Sequence, residues 1–136
     1  MVENISPRQT WDALRNEPRA RLVDVRTVPE WNHIGVPDLT EAGKDLVLIS
    51  WQVAPTMQIN GVFVDELRKA GLTAEDHIYF LCRSGVRSLA AAAAARAAGF
   101  THVYNVESGF EGPPDGSGQR GHVAGWQADE LPWHRP

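Results

Sequence analysis

Cysteine is nearly absent from this sequence, since Cys82 is the only one among 136 residues. A single thiol excludes an intrachain disulfide and any structural zinc site that needs several cysteines. Long apolar runs are missing too, because no stretch approaches the roughly 18 residues of a membrane-spanning helix. The first residues also lack the basic and apolar segments of a secretory signal. We therefore expect a cytoplasmic protein. Its one thiol is either a buried group of the hydrophobic core or the reactive group.

Basic residues are too few for a protein built mainly to hold nucleic acid or an anionic membrane. Thirteen Lys and Arg against seventeen Asp and Glu give a formal net charge of -4. Hydrophobic residues make up 43% of the chain, which is ordinary for one globular domain of this length. We expect a single domain over residues 1–136, with a C-terminal loop and tail (about 111–136) packed on it, as a monomer or weak dimer.

Strand-like and helix-like patterns alternate along the chain, as is typical of α/β proteins. Such alternation predicts a central, mostly parallel β-sheet with helices on both faces. The alanine run Ala90–Ala95 fits a helix that packs closely on this sheet. Strands are predicted over residues 21–26, 46–51, 77–81 and 102–106, and helices over residues 7–16, 60–70 and 89–98.

Cys82 lies where a predicted strand ends and a predicted helix is about to begin. Ligands bind at the carboxyl ends of parallel strands, and a helix N-terminus offers unpaired N–H groups and a positive dipole end. Arg83 and Arg87 add positive potential, which favours a thiolate, and Gly85 permits a backbone conformation that curls the loop into a cradle of N–H donors. The loop therefore predicts a reactive cysteine facing an anion site. Its residues are Cys82, Arg83, Ser84, Gly85, Val86, Arg87 and Ser88.

Two reactions use a cysteine in such a cradle. One is hydrolysis of a phosphate ester through a cysteinyl phosphate, and the other is sulfur transfer through a cysteine persulfide. The residue types of the loop are compatible with both.

Three stretches together resemble the single-domain rhodanese (thiosulfate sulfurtransferase) family. The cysteine loop is similar to the family's Cys-Arg-x-Gly-x-Arg-Ser motif. The early Asp24-Val25-Arg26 with Glu30-Trp31 resembles the family's Asp-x-Arg and Glu-Trp pair, and the stretch from Gly99 to Val106 with Gly109 resembles its closing motif. These matches run in the family's order from about residue 22 to residue 112.

The resemblance implies a rhodanese-like fold and a double displacement that needs neither a metal nor an organic cofactor. Cys82 would take sulfur from thiosulfate or a similar small anionic donor and pass it to a thiol, a protein acceptor or cyanide. Residues 83 to 88 would bind the donor and stabilise the persulfide. Four residues separate Cys82 from Arg87, one fewer than in protein tyrosine phosphatases, and by resemblance the shorter loop suits sulfur.

Other residues receive structural interpretations. Asp24, Arg26 and Glu30 are expected to support the strand end through an ion pair or hydrogen bonds. We interpret Trp31, Trp51 and Met57 as core residues. The five histidines, which are His33, His77, His102, His122 and His134, show no metal-ligand spacing, so no metal site is predicted.

Two alternatives to an enzyme of this kind stay open. The chain could be a sulfur-carrier or protein-interaction module in which Cys82 works only with a dedicated partner, or, with less support, a phosphatase or arsenate reductase. The stretch from Asn32 to Leu39 departs from the family pattern, and the long segment 40–60 follows it. This departure bears on substrate choice, because the cysteine loop itself is intact.

Overall fold

The computed structural model describes residues 2–136, which form nine strands and four α-helices. The helices are α1 (Pro7–Asn16), α2 (Val28–His33), α3 (Phe63–Lys69) and α4 (Val86–Ala97), with a 3-10 turn at Thr40–Ala42. The strands are β1 (Glu3–Ile5), β2 (Ala20–Asp24), β3 (Val36–Pro37), β4 (Val47–Leu48), β5 (Gln52–Val53), β6 (Gln58–Ile59), β7 (His77–Leu81), β8 (Val103–Val106) and β9 (Trp133–His134).

Five of the strands form a parallel sheet in the order β1-β8-β7-β2-β4. Successive side chains of a strand point to opposite faces, so Ile78 and Phe80 of β7 enter one apolar core while Tyr79 and Leu81 enter another. Helices α3 and α4 cover the first core and α1 covers the second. The predicted α/β fold, with a parallel sheet between helices, is confirmed.

Alanine brings α4 close to the sheet. Ala91, Ala92 and Ala95 are fully buried against the face that carries Phe80, where larger side chains would hold the helix away. The helix begins at Val86, immediately after Gly85, and this close packing fixes where its N-terminus meets the end of β7. The cysteine loop spans that junction.

The predicted elements differ from the observed ones near the segment 40–60 and at other places. The helix predicted over residues 89–98 begins at Val86, and α2 and β1 are not predicted by the sequence pattern. The strand predicted over residues 46–51 pairs regularly only at Val47–Leu48, although the N–H groups of Ile49 and Trp51 still donate to Asp24 and Val25. The predicted helix 60–70 is shorter, at Phe63–Lys69. Residues 52–59 form a small antiparallel hairpin of β5 and β6 that the sequence pattern does not predict.

The C-terminal segment folds back over the second core. Trp126 is fully buried and meets the Trp11 ring edge to face, with centroids 6.0 Å apart. Strand β9 pairs antiparallel with β3, which places Trp133 beside Gly35 and against the Phe110 ring. Within residues 2–136 the longest apolar helix is too short to cross a bilayer.

Candidate functional site

Cys82 follows β7 directly and is 2% exposed, with its thiol at the base of a surface cleft. The Gly85 N–H donates to Cys82 Sγ at 3.1 Å. Gly85 has a φ of 107°, a left-handed conformation that favours glycine and turns the loop back toward the sulfur. Of the predicted cradle of main-chain N–H donors, the structure shows one directed at Sγ, the N–H of Gly85 at the start of α4.

A series of hydrogen-bonded polar side chains leads away from Cys82 Sγ into the protein. Ser88 Oγ lies 3.2 Å from Cys82 Sγ and 2.5 Å from Asn105 Oδ1. The Asn105 amide donates to the Gly85 carbonyl and to Asn4 Oδ1, so its own oxygen faces Ser88. The serine hydroxyl has one hydrogen, which it gives either to Asn105 or to the sulfur. Ser88 can thus accept the hydrogen of a thiol or donate to a thiolate.

The turn after β8 holds the cysteine loop from behind. Phe110 N–H donates to the Cys82 carbonyl at 2.8 Å, and the N–H groups of Glu111 and Gly112 both donate to the Arg83 carbonyl at 3.0 Å. Gly109 makes this approach possible, because a Cβ there would overlap the Cys82 carbonyl oxygen and the Arg83 backbone. The closing motif therefore acts on the cysteine loop through its main chain.

Arg87 forms a bidentate ion pair with Glu30, which lies 57 residues earlier in the chain. The Nη1–Oε1 and Nη2–Oε2 distances are 2.7 and 2.9 Å, and both side chains are mostly buried. Burial alone would raise the pKa of Glu30, but the hydrogen bonds and charge of Arg87, with hydrogen bonds from Thr27, lower that pKa to about 2. The hydrogen bonds from Arg87 to Glu30 raise the pKa of Arg87 in turn, against the effect of burial. Both groups are charged at neutral pH.

This ion pair predicts an acid-dependent loss of stability. Because the folded-state pKa of Glu30 lies below its ordinary 4.5, its contribution is complete above about pH 4.5 and disappears as the pH falls toward 2. At pH 7 the wild-type protein should have a higher free energy of unfolding than the Glu30→Gln variant. This difference between the two proteins should be up to about 3 kcal/mol larger at pH 7 than at pH 2. Urea unfolding of both proteins across this range measures the difference, and a gap that does not change with pH would contradict the assignment.

Asp24 and Arg26 form a separate ion pair that is completely buried. Arg26 Nη2 donates to Asp24 Oδ2 at 2.7 Å and to the Gly35 carbonyl at 2.8 Å, and the guanidinium lies 4.3 Å from the centre of the Phe110 ring. Glu30 does not join this pair. The three residues expected to support the strand end are thus divided between two ion pairs, one of them within the cleft.

The cleft above Cys82 has a volume of about 450 Å³. Met57 lines it and is 39% exposed, so its interpretation as a core residue was wrong. The hairpin of β5 and β6 brings it there, and no local sequence signal indicates that placement. Trp51 packs edge to face on Phe63 beside the core instead. The lining residues are Glu30, Gln52, Met57, Cys82, Arg83, Ser84, Val86 and Arg87.

Metal-ligating side chains are not gathered anywhere in the described part of the chain, residues 2–136, in a group of three or more that could hold an ion. The groups that the cleft offers are one thiol, main-chain and side-chain donors, two arginines and one carboxylate. This set can bind an anion beside a nucleophilic sulfur.

Comparisons with known proteins agree with this architecture. The family model of the STR4 middle domain matches residues 2–136. An uncharacterized protein of Rickettsia conorii is 34% identical over 132 residues, which cover 97% of each chain. The crystal structure of Rv0390 from M. tuberculosis is 43% identical, with a TM-score of 0.90 over 99% of this chain and 98% of that one.

More distant solved structures share the fold. The polysulfide-sulfur transferase homodimer of Wolinella succinogenes is 22% identical, with a TM-score of 0.65 over 98% of this chain and 78% of that one. A rhodanese-like domain from Anabaena is 20% identical, with a TM-score of 0.63 over all of this chain and 81% of that one. The fold is rhodanese-like, and the chain belongs to the STR4 middle domain family.

Proposed function

We propose that the protein is a sulfurtransferase that carries sulfane sulfur as a persulfide on Cys82. The observation that supports this most directly is the position of Cys82 Sγ, which receives the Gly85 N–H at the base of an open cleft while Arg87 lies close by. Donors aimed at the sulfur stabilise negative charge there, which a thiolate and a persulfide both carry.

The reaction takes place in two displacements. In the first, the Cys82 thiolate attacks the outer sulfur of a donor such as thiosulfate. A new S–S bond forms, the donor's own S–S bond breaks, and its electron pair leaves with sulfite. In the second, an acceptor thiolate or cyanide attacks the outer sulfur of the persulfide, and the electron pair of that bond returns to Cys82. No net oxidation of the protein occurs.

The polar groups around Cys82 have distinct roles in this scheme. The Gly85 N–H stabilises the thiolate before the attack, and Ser88 turns its hydroxyl toward the sulfur when the thiol hydrogen has left. Arg83, on the open side of the cleft, attracts the anionic donor, and residues 84 and 86 form the wall that it passes. Arg87 supplies positive charge close to Cys82 but is shared with Glu30.

Loop length favours sulfur over phosphorus chemistry in this proposal. Residues 83 to 86 make only a short turn between Cys82 and Arg87, and its Gly85 is bonded at both ends, through N–H to Sγ and through its carbonyl to Asn105. Such a turn has little freedom to open around a tetrahedral oxyanion on the sulfur. The phosphatase and arsenate reductase alternatives are weaker for that reason.

Intact mass spectrometry after incubation with a sulfane-sulfur donor tests the proposal. We expect the protein to gain the mass of one sulfur atom, to lose it when cyanide or a thiol is added, and to carry it on the peptide that contains Cys82. No mass gain with thiosulfate, mercaptopyruvate or an organic persulfide would reject the enzyme and leave the carrier or interaction module. Release of phosphate from a phosphate ester by the same protein would favour the phosphatase instead.

A further inference from the structure

The hydroxyl of Ser88, next to Cys82, has two acceptors for its one hydrogen. Ser88 is fully buried, and within residues 2–136 its Oγ lies 3.2 Å from Cys82 Sγ and 2.5 Å from Asn105 Oδ1. Asn105 is only 4% exposed, so water has little access to this contact. Because a hydroxyl donates once, a hydrogen bond to Asn105 and a hydrogen bond to the sulfur exclude each other.

The amide of Asn105 is held with its oxygen, and not its nitrogen, toward Ser88. Asn105 Nδ2 donates to the Gly85 carbonyl at 3.1 Å and to Asn4 Oδ1 at 3.0 Å. A carbonyl can only accept, so a reversed amide would place its oxygen against the oxygen of Gly85. The contacts with the cysteine loop and with β1 therefore keep an acceptor in front of the Ser88 hydroxyl.

The charge on Cys82 Sγ changes in the course of the sulfur transfer proposed above. In the thiolate, Sγ carries the negative charge and is the stronger acceptor for the Ser88 hydroxyl. In the persulfide, Sγ has two covalent bonds and the negative charge lies on the outer sulfur. Asn105 Oδ1 is then the better acceptor, as it is when Cys82 is a neutral thiol.

We propose that Asn105 is a positioning residue that acts on Cys82 through Ser88. It gives the hydroxyl an acceptor whenever Sγ is uncharged, so it stabilises the thiol and the persulfide relative to the thiolate. The hydrogen stays covalently bound to Ser88 Oγ and only changes direction. Without Asn105, a buried hydroxyl would lose its acceptor each time the charge leaves Sγ. The persulfide part of this inference rests on the proposed sulfurtransferase activity.

Neither Ser88 nor Asn105 carries a charge, so replacing either by alanine leaves the charges around Cys82 unaltered. Arg87 is the charged side chain whose electrostatic interaction with Cys82 is resolved. A change in the pH dependence of the thiol on these replacements therefore reports hydrogen bonds. The charged residues on the elements around Cys82 are Asp24 and Arg26 after β2, Glu30 on α2, Arg83 and Arg87 in the loop and α4, and Glu107 and Glu111 after β8.

Alkylation of Cys82 by iodoacetamide measures the thiolate without any sulfur donor. Cys82 is the only cysteine, so intact mass spectrometry gives its rate of alkylation at each pH. Asn105→Ala removes the competing acceptor and leaves the Ser88 hydroxyl to the sulfur. We expect the midpoint of its pH–rate profile to lie about half a unit to one unit below the wild-type midpoint. Ser88→Ala removes the donor and should move the midpoint upward by a similar amount.

Two further variants distinguish this role from a general structural one. Asn105→Asp loses the same amide donors but keeps an oxygen for Ser88, so its midpoint should not fall below the wild-type value. In the Ser88→Ala protein, a second replacement Asn105→Ala should cause no further shift, because Asn105 acts through the hydroxyl. Melting temperatures check that each variant folds. If Asn105→Ala does not fold, Asn105→Leu keeps most of the volume without an acceptor and takes its place.

The effect on the persulfide is measured in the same variants. Each protein is equilibrated with a small thiol and its persulfide, and intact mass spectrometry gives the ratio of persulfide to free Cys82. We expect this ratio to fall about threefold to tenfold in Asn105→Ala, the effect of one neutral hydrogen bond. The ratio should not fall in Asn105→Asp.

The outcomes separate this inference from the function proposed above. The inference is overturned by an Asn105→Ala midpoint that stays or rises, by a shift that persists without the Ser88 hydroxyl, or by an unchanged persulfide ratio. In each of these cases persulfide formation stands. Failure of every donor to add sulfur overturns the sulfurtransferase proposal, and the alkylation profiles still decide whether Asn105 acts on the thiol through Ser88.

Discussion

Replacing Cys82 with serine is expected to reduce sulfur uptake from any donor by at least about a thousandfold. The hydroxyl stays protonated at neutral pH, and oxygen is a far poorer nucleophile toward sulfur than a thiolate. Cys82 is also the only cysteine in the chain, so no second thiol can take over the reaction. Intact mass spectrometry with thiosulfate and with an organic persulfide measures the loss directly.

The fold of the Cys82→Ser protein should change very little. The smaller oxygen can accept the Gly85 N–H and bond with Ser88, which replaces the two hydrogen bonds that Sγ makes within residues 2–136. Its melting temperature therefore serves as the control, and we expect it to lie within a few degrees of the wild-type value. A folded variant that still acquires sulfur would show that the persulfide forms on a group other than this thiol, and the proposed mechanism would then be wrong.

Asp24→Asn is expected to lower the stability of the protein severely. Asparagine keeps the shape of the side chain but leaves the fully buried Arg26 guanidinium without a counter-charge. Breaking one side of a buried ion pair typically costs about 3–5 kcal/mol, since the remaining charge stays out of water. Urea unfolding followed by far-ultraviolet circular dichroism gives the change in the free energy of unfolding.

The exposed residue Asp45 offers a matched control for this experiment. The same exchange, Asp45→Asn, removes an equal charge from the surface and should change the free energy of unfolding by less than about 0.5 kcal/mol. If Asp24→Asn cost no more than Asp45→Asn, the Arg26 guanidinium would have to be compensated by the Gly35 carbonyl and the Phe110 ring alone.

The cysteine loop could be predicted because the residues that determine its conformation are neighbours in the sequence. A short apolar strand, a glycine three residues after the cysteine and a helix-forming alanine run lie next to one another in the chain. Together they require a turn with main-chain donors directed at the strand end. The structure places Gly85 N–H on Cys82 Sγ as this pattern indicates.

The ion pair between Glu30 and Arg87 in the cleft could not be predicted in the same way. From the sequence, Arg87 is expected to bind substrate and Glu30 to give structural support, yet the two meet across 57 residues. Their contact depends on how α2 lies relative to α4, which no pattern within either helix specifies. Met57 reaches the cleft through a hairpin of two-residue strands. Such strands are too short to show an alternation of apolar and polar residues in the sequence. The lining of the cleft therefore depends on contacts between distant segments that no local pattern in the sequence indicates.

The position of β1 at the edge of the sheet also has a consequence for synthesis on the ribosome. Strand β1 precedes β8 by about a hundred residues, yet β8 is the strand that it pairs with in the sheet formed by residues 2–136. The side chains of Asn4 and Asn105 meet across 101 residues. During synthesis β1 therefore stays unpaired until Val103–Val106, which include the Asn105 that it contacts, have been made. The hydrogen-bonded side chains of Ser88, Asn105 and Asn4 beside Cys82 thus come together late. A nascent chain therefore contains the Cys82 thiol before all the groups that position this thiol have been made.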